Sequence, residues 1–256
     1  MENAIALKIN EKKNYIKFNI WYAWIYFIFY SFCGFILETI FGIFSKGVLE
    51  SRQSFLFGPF CIVYGIGALL MITFLTNLKD RPVLLFVFSI IIGTVTEYLM
   101  SYFCEVLFHF KWWDYSKIAL NVNGRICLYF SIIWGFLGII LIKYINPLLD
   151  KFINFLREKI DIKILKLSLL LVIVFLIFDA SITAVALKSF YAKIINDFDL
   201  DIKTTSYSIT KNELFAEENM VLTFPNMQIA GTKYNNTYIA NLYKSEKDYY
   251  FQIFGN

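Results

Sequence analysis

The chain has 256 residues, 58% of them hydrophobic and 20% aromatic, with a formal net charge of +4. Soluble domains average roughly 45–50% apolar residues, and the excess here falls in blocks of about 20 residues, the length that crosses ~30 Å of hydrocarbon. The charge is too small and too dispersed for nucleic-acid binding, so an all-α polytopic membrane protein is expected, with about five transmembrane helices and a small, mostly β C-terminal appendage.

Residues 1–19 read as a basic cytosolic leader carrying Lys8, Lys12, Lys13 and Lys17. They hold no short apolar core of the kind a cleavable signal peptide needs. A first span is expected over 20–44, with Trp21, Tyr22 and Trp24 as an interfacial aromatic belt. A short loop with Glu50 and Arg52 leads to a second span over 58–77, opened by Gly58-Pro59, since proline is tolerated at the first helical position. The charged turn 78–81 precedes a third span, 82–108. The loop 109–124 holds the string WWDYS and an asparagine-rich stretch, and a fourth span follows over 125–149. Residues 150–166 alternate apolar and basic residues at helical spacing, as in an amphipathic helix on the membrane surface. A fifth span is expected over 167–192. The transmembrane helical domain thus covers 20–192, and 193–256 form a small polar domain. There Met220–Phe224, Gln228–Ala230, Thr237–Tyr243 and Tyr249–Phe254 read as short strands between turn residues.

Basic residues set the expected orientation. Eleven flank one side (Lys8, Lys12, Lys13, Lys17, Lys79, Arg81, Lys151, Arg157, Lys159, Lys163, Lys166) and five the other (Lys46, Arg52, Lys111, Lys117, Arg125). The rule that cytoplasmic loops are the positive ones predicts a cytosolic N-terminus and an extracytoplasmic tail.

Charge inside a span is costly and marks a functional hypothesis. Glu38, Glu97, Glu105 and Asp179 lie in or at the ends of spans, and Arg125 opens the fourth. Arg52, Asp114, Asn121 and Asn123 lie in the outer loops. Glu97, Ser101 and Glu105 share one helix face at i, i+4, i+8. Two carboxylates there repel unless a cation, an arginine or a proton intervenes, and Arg52 and Arg125 are available. Glu38, Arg52, Glu97, Glu105, Asp114, Asn121, Asn123, Arg125 and Asp179 are therefore the expected substrate- or ion-binding set. The competing reading makes these charges structural, fixing helix register. His109, the single histidine, reads as interfacial. WWDYS reads equally as a belt with a helix stop or as a fixed turn. Cys33, Cys61, Cys104 and Cys127 read as packing residues, with a Cys104–Cys127 bridge conceivable near one face. A metal site is left open. No Walker A, H-E-x-x-H, G-x-S-x-G or Cys/His cluster occurs, so no enzyme and no cofactor are expected, and a nucleotide-driven cycle would need an ATPase on another chain.

Four strings, YSFCGFILETIFG, FLFGPFCIVYGIGALL, TVTEYLMSYFCEVLFHFKWWDYS and NVNGRICLYFSIIWGFLGI, resemble a bacterial membrane family, the ABC transporter type IV (CmpB-like) permeases. The resemblance covers about Tyr26–Ala184, and the tail string FPNMQI also looks like the family's end. It implies a cell-membrane permease subunit in the lipid bilayer, joined by a separate cytosolic ATPase, whereas the outward-facing polar cavity is expected from the orientation, which brings the charged residues to the outer half of the membrane. Its motif positions here include Glu38, Gly58, Pro59, Tyr64, Glu97, Glu105, Trp113, Asp114, Tyr115 and Arg125. Arg52-Gln53 departs from the arginine-glycine the family places there. The alternative function is a non-transporting membrane scaffold or envelope protein.

Overall fold

The structure, a computed structural model, describes residues 20–197, 216–230, 239 and 251–252. Four of its helices are long and apolar enough to cross a membrane: Ile20–Lys46, Pro82–Phe108, Leu128–Lys159 and Ile162–Asn196. A fifth apolar helix, Ile62–Leu78, is shorter, at ~25 Å by its rise. The fold is thus mostly helical, close to the five spans expected.

Helix α1 is Ile20–Lys46 and α2 is Ile62–Leu75, extended by a 3-10 turn to Leu78; α3 is Pro82–Phe108. Leu128–Ile140 forms α4, which passes through a π-helical stretch, Leu141–Ile145, into α5, Asn146–Lys159. Helix α6, Ile162–Asp197, is the longest. The expected amphipathic segment 150–166 is divided between α5 and α6. Helix α5 continues α4 and runs antiparallel to α1, because Tyr30 Oη meets Asn146 Oδ1 at 3.2 Å, Tyr26 Oη meets Asp150 Oδ1 at 2.5 Å and Arg157 Nη1 meets Tyr22 Oη at 2.6 Å. Its apolar Leu149 and Ile153 are buried against the bundle, while Lys151 and Lys159 face outward.

The second span starts later than Gly58-Pro59 predicted. The backbone stays irregular to Cys61, since its groups find partners outside any helix. Ser54 N donates to Phe60 O at 2.7 Å, and Cys61 N donates to Ser31 O of α1 at 2.9 Å. Irregular backbone survives at membrane depth only when protein satisfies it.

The helices build a membrane core of Tyr26, Tyr30, Met71, Leu75, Leu85, Trp134 and Ile142, among others. A second core closes the end that carries the loops 47–61 and 109–127. There the last turns of α6 (Leu187, Phe190, Ile194) meet Phe110, Met220, Met227 and Ile229. Short antiparallel pairs tie this end: β1 (Val48–Leu49) with β6 (Phe251–Gln252), β2 (Phe110–Lys111) with β5 (Gln228–Ile229), and β3 (Asn121–Val122) with β4 (Ile126–Cys127). The expected strands at 228–230 and 249–254 thus have counterparts in β5 and β6. Met220–Phe224, read as a strand, instead belongs to helix α7, Glu217–Thr223, and its end. Met220, Val221 and Phe224 are buried while Leu222 is exposed, a helical rather than an alternating pattern. The strand expected at 237–243 lies outside the described residues except for Ile239, as does the leader 1–19.

Candidate functional site

Between the two cores lies a cavity of about 360 Å³, within the ~300–1,000 Å³ range of small-molecule sites. Helices α1, α2, α3, α4 and α6 wall it, and the irregular segment 51–55 and the turn Pro225-Asn226 close it. Its surface is largely apolar and includes the aromatic Phe41, Phe108, Trp112, Trp113 and Phe130, and three charged residues reach it: Glu38, Arg52 and Glu97.

Glu97 is 6% exposed. Its Oε1 accepts the Tyr115 hydroxyl at 2.8 Å and its Oε2 accepts Trp134 Nε1 at 3.1 Å. Both donors are neutral, and no Lys or Arg lies within 4.0 Å of it among the described residues. Burial, and the Glu97 carboxylate beside it, push the Tyr115 hydroxyl far above its ordinary range. It therefore keeps its proton and stays a donor. Tyr115 is held by stacking on Phe130 with ring centroids 4.8 Å apart.

The other carboxylate on the cavity, Glu38, belongs to a chain of charges. Tyr64 Oη donates to Glu38 Oε1 at 2.6 Å, and Arg52 Nη1 lies 4.0 Å from Glu38 Oε2. Arg52 Nη2 reaches Glu50 Oε1 at 2.5 Å, and Lys46 Nζ meets the same oxygen at 2.8 Å. Among the charged residues that line the cavity, the carboxylates Glu38 and Glu97 thus outnumber the cation Arg52 by one. Three buried polar atoms of cavity-lining residues, Ser51 Oγ, Arg52 Nε and Trp112 Nε1, have no hydrogen-bond partner among the described residues.

The remaining expected residues stand elsewhere. Glu105 and Arg125 pair with each other at 2.7 Å. Arg125 also donates to Ser101 Oγ at 3.2 Å and lies over the rings of Tyr98 and Tyr102, while Lys111 comes within 3.9 Å of Glu105. Asp114, Asn121 and Asn123 shape the loop between α3 and α4. Asp114 accepts the N–H and hydroxyl of Ser116 at 3.0 and 2.9 Å, and Asn121 Oδ1 accepts Gly124 N at 3.1 Å. Asn123 Nδ2 donates to Tyr98 Oη at 3.0 Å. Trp113 Nε1 closes the loop on Arg125 O at 2.9 Å. WWDYS and NGRIC are two sides of one folded turn that aims Tyr115 at Glu97.

That turn explains Gly124. Its φ is +67°, and a Cβ would fall 2.3 Å from Asp114 Oδ1. A left-handed backbone costs a residue with a side chain ~1–2 kcal/mol, and the clash adds to it. Gly124→Ala is expected to lower stability by roughly 2–3 kcal/mol, read as a fall in unfolding midpoint, and Asp114→Ala in the same chain should recover part of it.

Asp179 lies outside the cavity lining, fully buried in α6. Its carboxylate accepts Gly58 N at 2.7 Å and Phe57 N at 3.2 Å, with Thr183 Oγ1 at 3.4 Å. His109 ends α3 with φ +60°, and its ring stacks on Tyr191 with centroids 4.6 Å apart. All four cysteines are free thiols. Among the described residues no three His, Cys, Asp or Glu side chains converge as a metal site.

In the sequence, Tyr64 and Tyr115 stand in motifs without a marked role, Glu50 reads only as a loop charge, and Trp134 carries no signal of its own. Uncharged Tyr and Trp in apolar runs look like belt or core. The available signal was that a buried carboxylate requires donors, and each of these aromatic residues carries one.

The architecture defines a polytopic helical membrane protein with a buried acidic cavity beneath a small end cap. Residues 25–184, more than half of the chain, match the family described as "Putative ABC-transporter type IV". The chain belongs to that family. It matches no curated protein and no solved structure.

Proposed function

We propose that the protein is the permease subunit of an ABC-type membrane assembly, and that the cavity between its two cores binds the transported solute. The observation that carries this reading is Glu97, a buried carboxylate on an aromatic cavity wall with only neutral donors. Such a charge inside a membrane domain calls for a counter-charge. Aromatic faces and an excess negative charge together favour an organic cation. The unpartnered donors of Ser51, Arg52 and Trp112 add a preference for an acceptor oxygen on the same solute, as in an acylated amino alcohol. Family membership supports the transporter class. The chain has no nucleotide-binding motif of its own, so a cytosolic ATPase would be a separate subunit. The basic end, with Lys79, Arg81 and the α5–α6 turn, is read as cytoplasmic, and the cavity then lies toward the outer face.

Purified protein should bind choline, acylcholines or tetraethylammonium saturably in calorimetry. Glu97→Gln is expected to weaken binding at least tenfold, and Tyr115→Phe several-fold, with folding unchanged by gel filtration. A folded wild-type protein that binds none of these cations would overturn the cation reading. Failure of native membranes to yield a co-purifying ATPase would remove the ABC assembly.

A second reading, a non-transporting membrane scaffold, draws on Asp179, Asp114 and the Glu105–Arg125 pair, whose charges are engaged in holding loops and helix ends. Under it, Glu97→Gln would alter folding yield and nothing else.

A further inference from the structure

At the opposite end from the end cap, α1, α5 and α6 leave a groove of about 710 Å³ between them. Its walls are almost wholly apolar, with Ile25, Phe29, Ile153 and Leu169 along its length. The groove reaches Phe32 and Phe60 at its deep end, and Trp21, Tyr22, Arg157 and Lys166 line its mouth. From Tyr22 to Phe32, α1 rises ~15 Å, about half of the ~30 Å hydrocarbon thickness. The groove therefore has the length of one leaflet's acyl chains.

The mouth carries two exposed cations. Arg157 Nη1 donates to Tyr22 Oη at 2.6 Å, and Lys166 Nζ lies 5.6 Å from the centre of the Trp21 ring. Both partners are neutral, so they orient the cations without cancelling them. Glu158 and Asp161 are close in sequence, but neither forms an ion pair with Arg157 or Lys166 among the described residues. Asp161 instead accepts Lys163 N at 2.7 Å, capping the first turn of α6. Trp21 and Tyr22 are residue types that settle at headgroup level. We infer that this groove is a binding site for one anionic phospholipid, its acyl chains lying against α1, α5 and α6 and its phosphate held by Arg157 and Lys166. Basic pockets between helices at a membrane surface recognise headgroups in this way. A zwitterionic lipid fills the groove equally well but brings its own cation to the mouth, where Arg157 and Lys166 repel it.

The test uses the full chain in mild detergent, offered equal amounts of phosphatidylglycerol and phosphatidylcholine and read by native mass spectrometry. Wild type should retain phosphatidylglycerol at least fivefold over phosphatidylcholine. The Arg157→Gln/Lys166→Gln double variant should lower phosphatidylglycerol to the phosphatidylcholine level. Both side chains are exposed, so the variant is expected to fold, and gel filtration checks that it does. Leu169→Trp, which fills the groove, should reduce both lipids with the charges intact. Glycerol phosphate at millimolar concentration should not displace the lipid; displacement would mean that the site recognises a free phosphate. Equal retention of the two lipids by wild type, or a double variant that keeps its preference, would overturn the site.

Discussion

Asp179→Ala is expected to lower the unfolding midpoint by roughly 10 °C. The carboxylate serves as acceptor for Phe57 N, Gly58 N and Thr183 Oγ1, and the residue is 0% exposed. Alanine leaves those donors without a partner in a site water does not reach. Each buried orphan donor costs ~1–3 kcal/mol, and for a chain of this size each kcal/mol moves the midpoint by about 2–4 °C. Asp179→Asn keeps one acceptor oxygen but turns an amide N–H₂ toward other donors, so about half the loss should remain. Thr183→Val, which removes the acceptor for Leu56 N at 3.0 Å, should cost less than either. Thermal unfolding in detergent, followed by intrinsic fluorescence, ranks the three. An Asp179→Ala protein that melts within two degrees of wild type would show that the loop 54–61 does not depend on this residue.

The role of Asp179 also shows where reading the chain stops. A lone carboxylate in an apolar run is visible in the sequence, and so is the Gly58-Pro59 pair. Their meeting is not, because they are more than 120 residues apart and the partners of Asp179 are backbone N–H groups that no side-chain pattern reveals. Gly58-Pro59 was expected to start a helix, yet α2 begins at Ile62. Pro59 has no N–H to satisfy, and the N–H groups just before it belong to Asp179. The long spans were legible because 20-residue apolar blocks have one main explanation in a membrane. The short strand pairs at the end cap involve two residues each, too few for periodicity to register. Helix α7 was misread for a related reason: five residues with three buried apolar side chains fit a strand and a single helical turn alike.

The expected site divides in the same way. Spacing on α3 put Glu97, Ser101 and Glu105 on one face, and the structure splits that face into two neighbourhoods. Glu105 and Ser101 both meet Arg125, so the like-charge repulsion anticipated on that face is relieved at its outer end. Glu97, one turn deeper, has only Tyr115 and Trp134. The difference lies in reach. Arg125 opens the chain leading into α4 and extends only to the outer turns of α3, whereas the depth of Glu97 is met by the ring of Trp134 from within α4. That Glu97 lacks a cationic partner among the described residues follows from which residue type α4 offers at each level.

Trp134 reaches that level because of Gly93, and Gly93→Ala should therefore damage both stability and the cavity. A Cβ on Gly93 would fall 2.3, 2.5 and 2.6 Å from Trp134 Cγ, Cβ and Cδ2. One of those atoms is the tryptophan's own Cβ, which no rotamer can move, so α3 and α4 must separate. Small residues at helix contacts in membranes serve this close approach, and overpacking costs ~1–3 kcal/mol. Separation also draws Trp134 Nε1 away from Glu97 Oε2, leaving Tyr115 as its sole donor. The expected result is a midpoint lower by roughly 5–10 °C, together with a weakened affinity for the cation probes that report on Glu97. A double-mutant cycle isolates the contact. In a Trp134→Gly background, where Cβ, Cγ and Cδ2 are all gone, the added methyl should cost less than half as much, and the cation affinity should already be low. Equal costs in the two backgrounds would mean that Gly93 acts through α3 itself and that the approach of Trp134 to Glu97 does not depend on it.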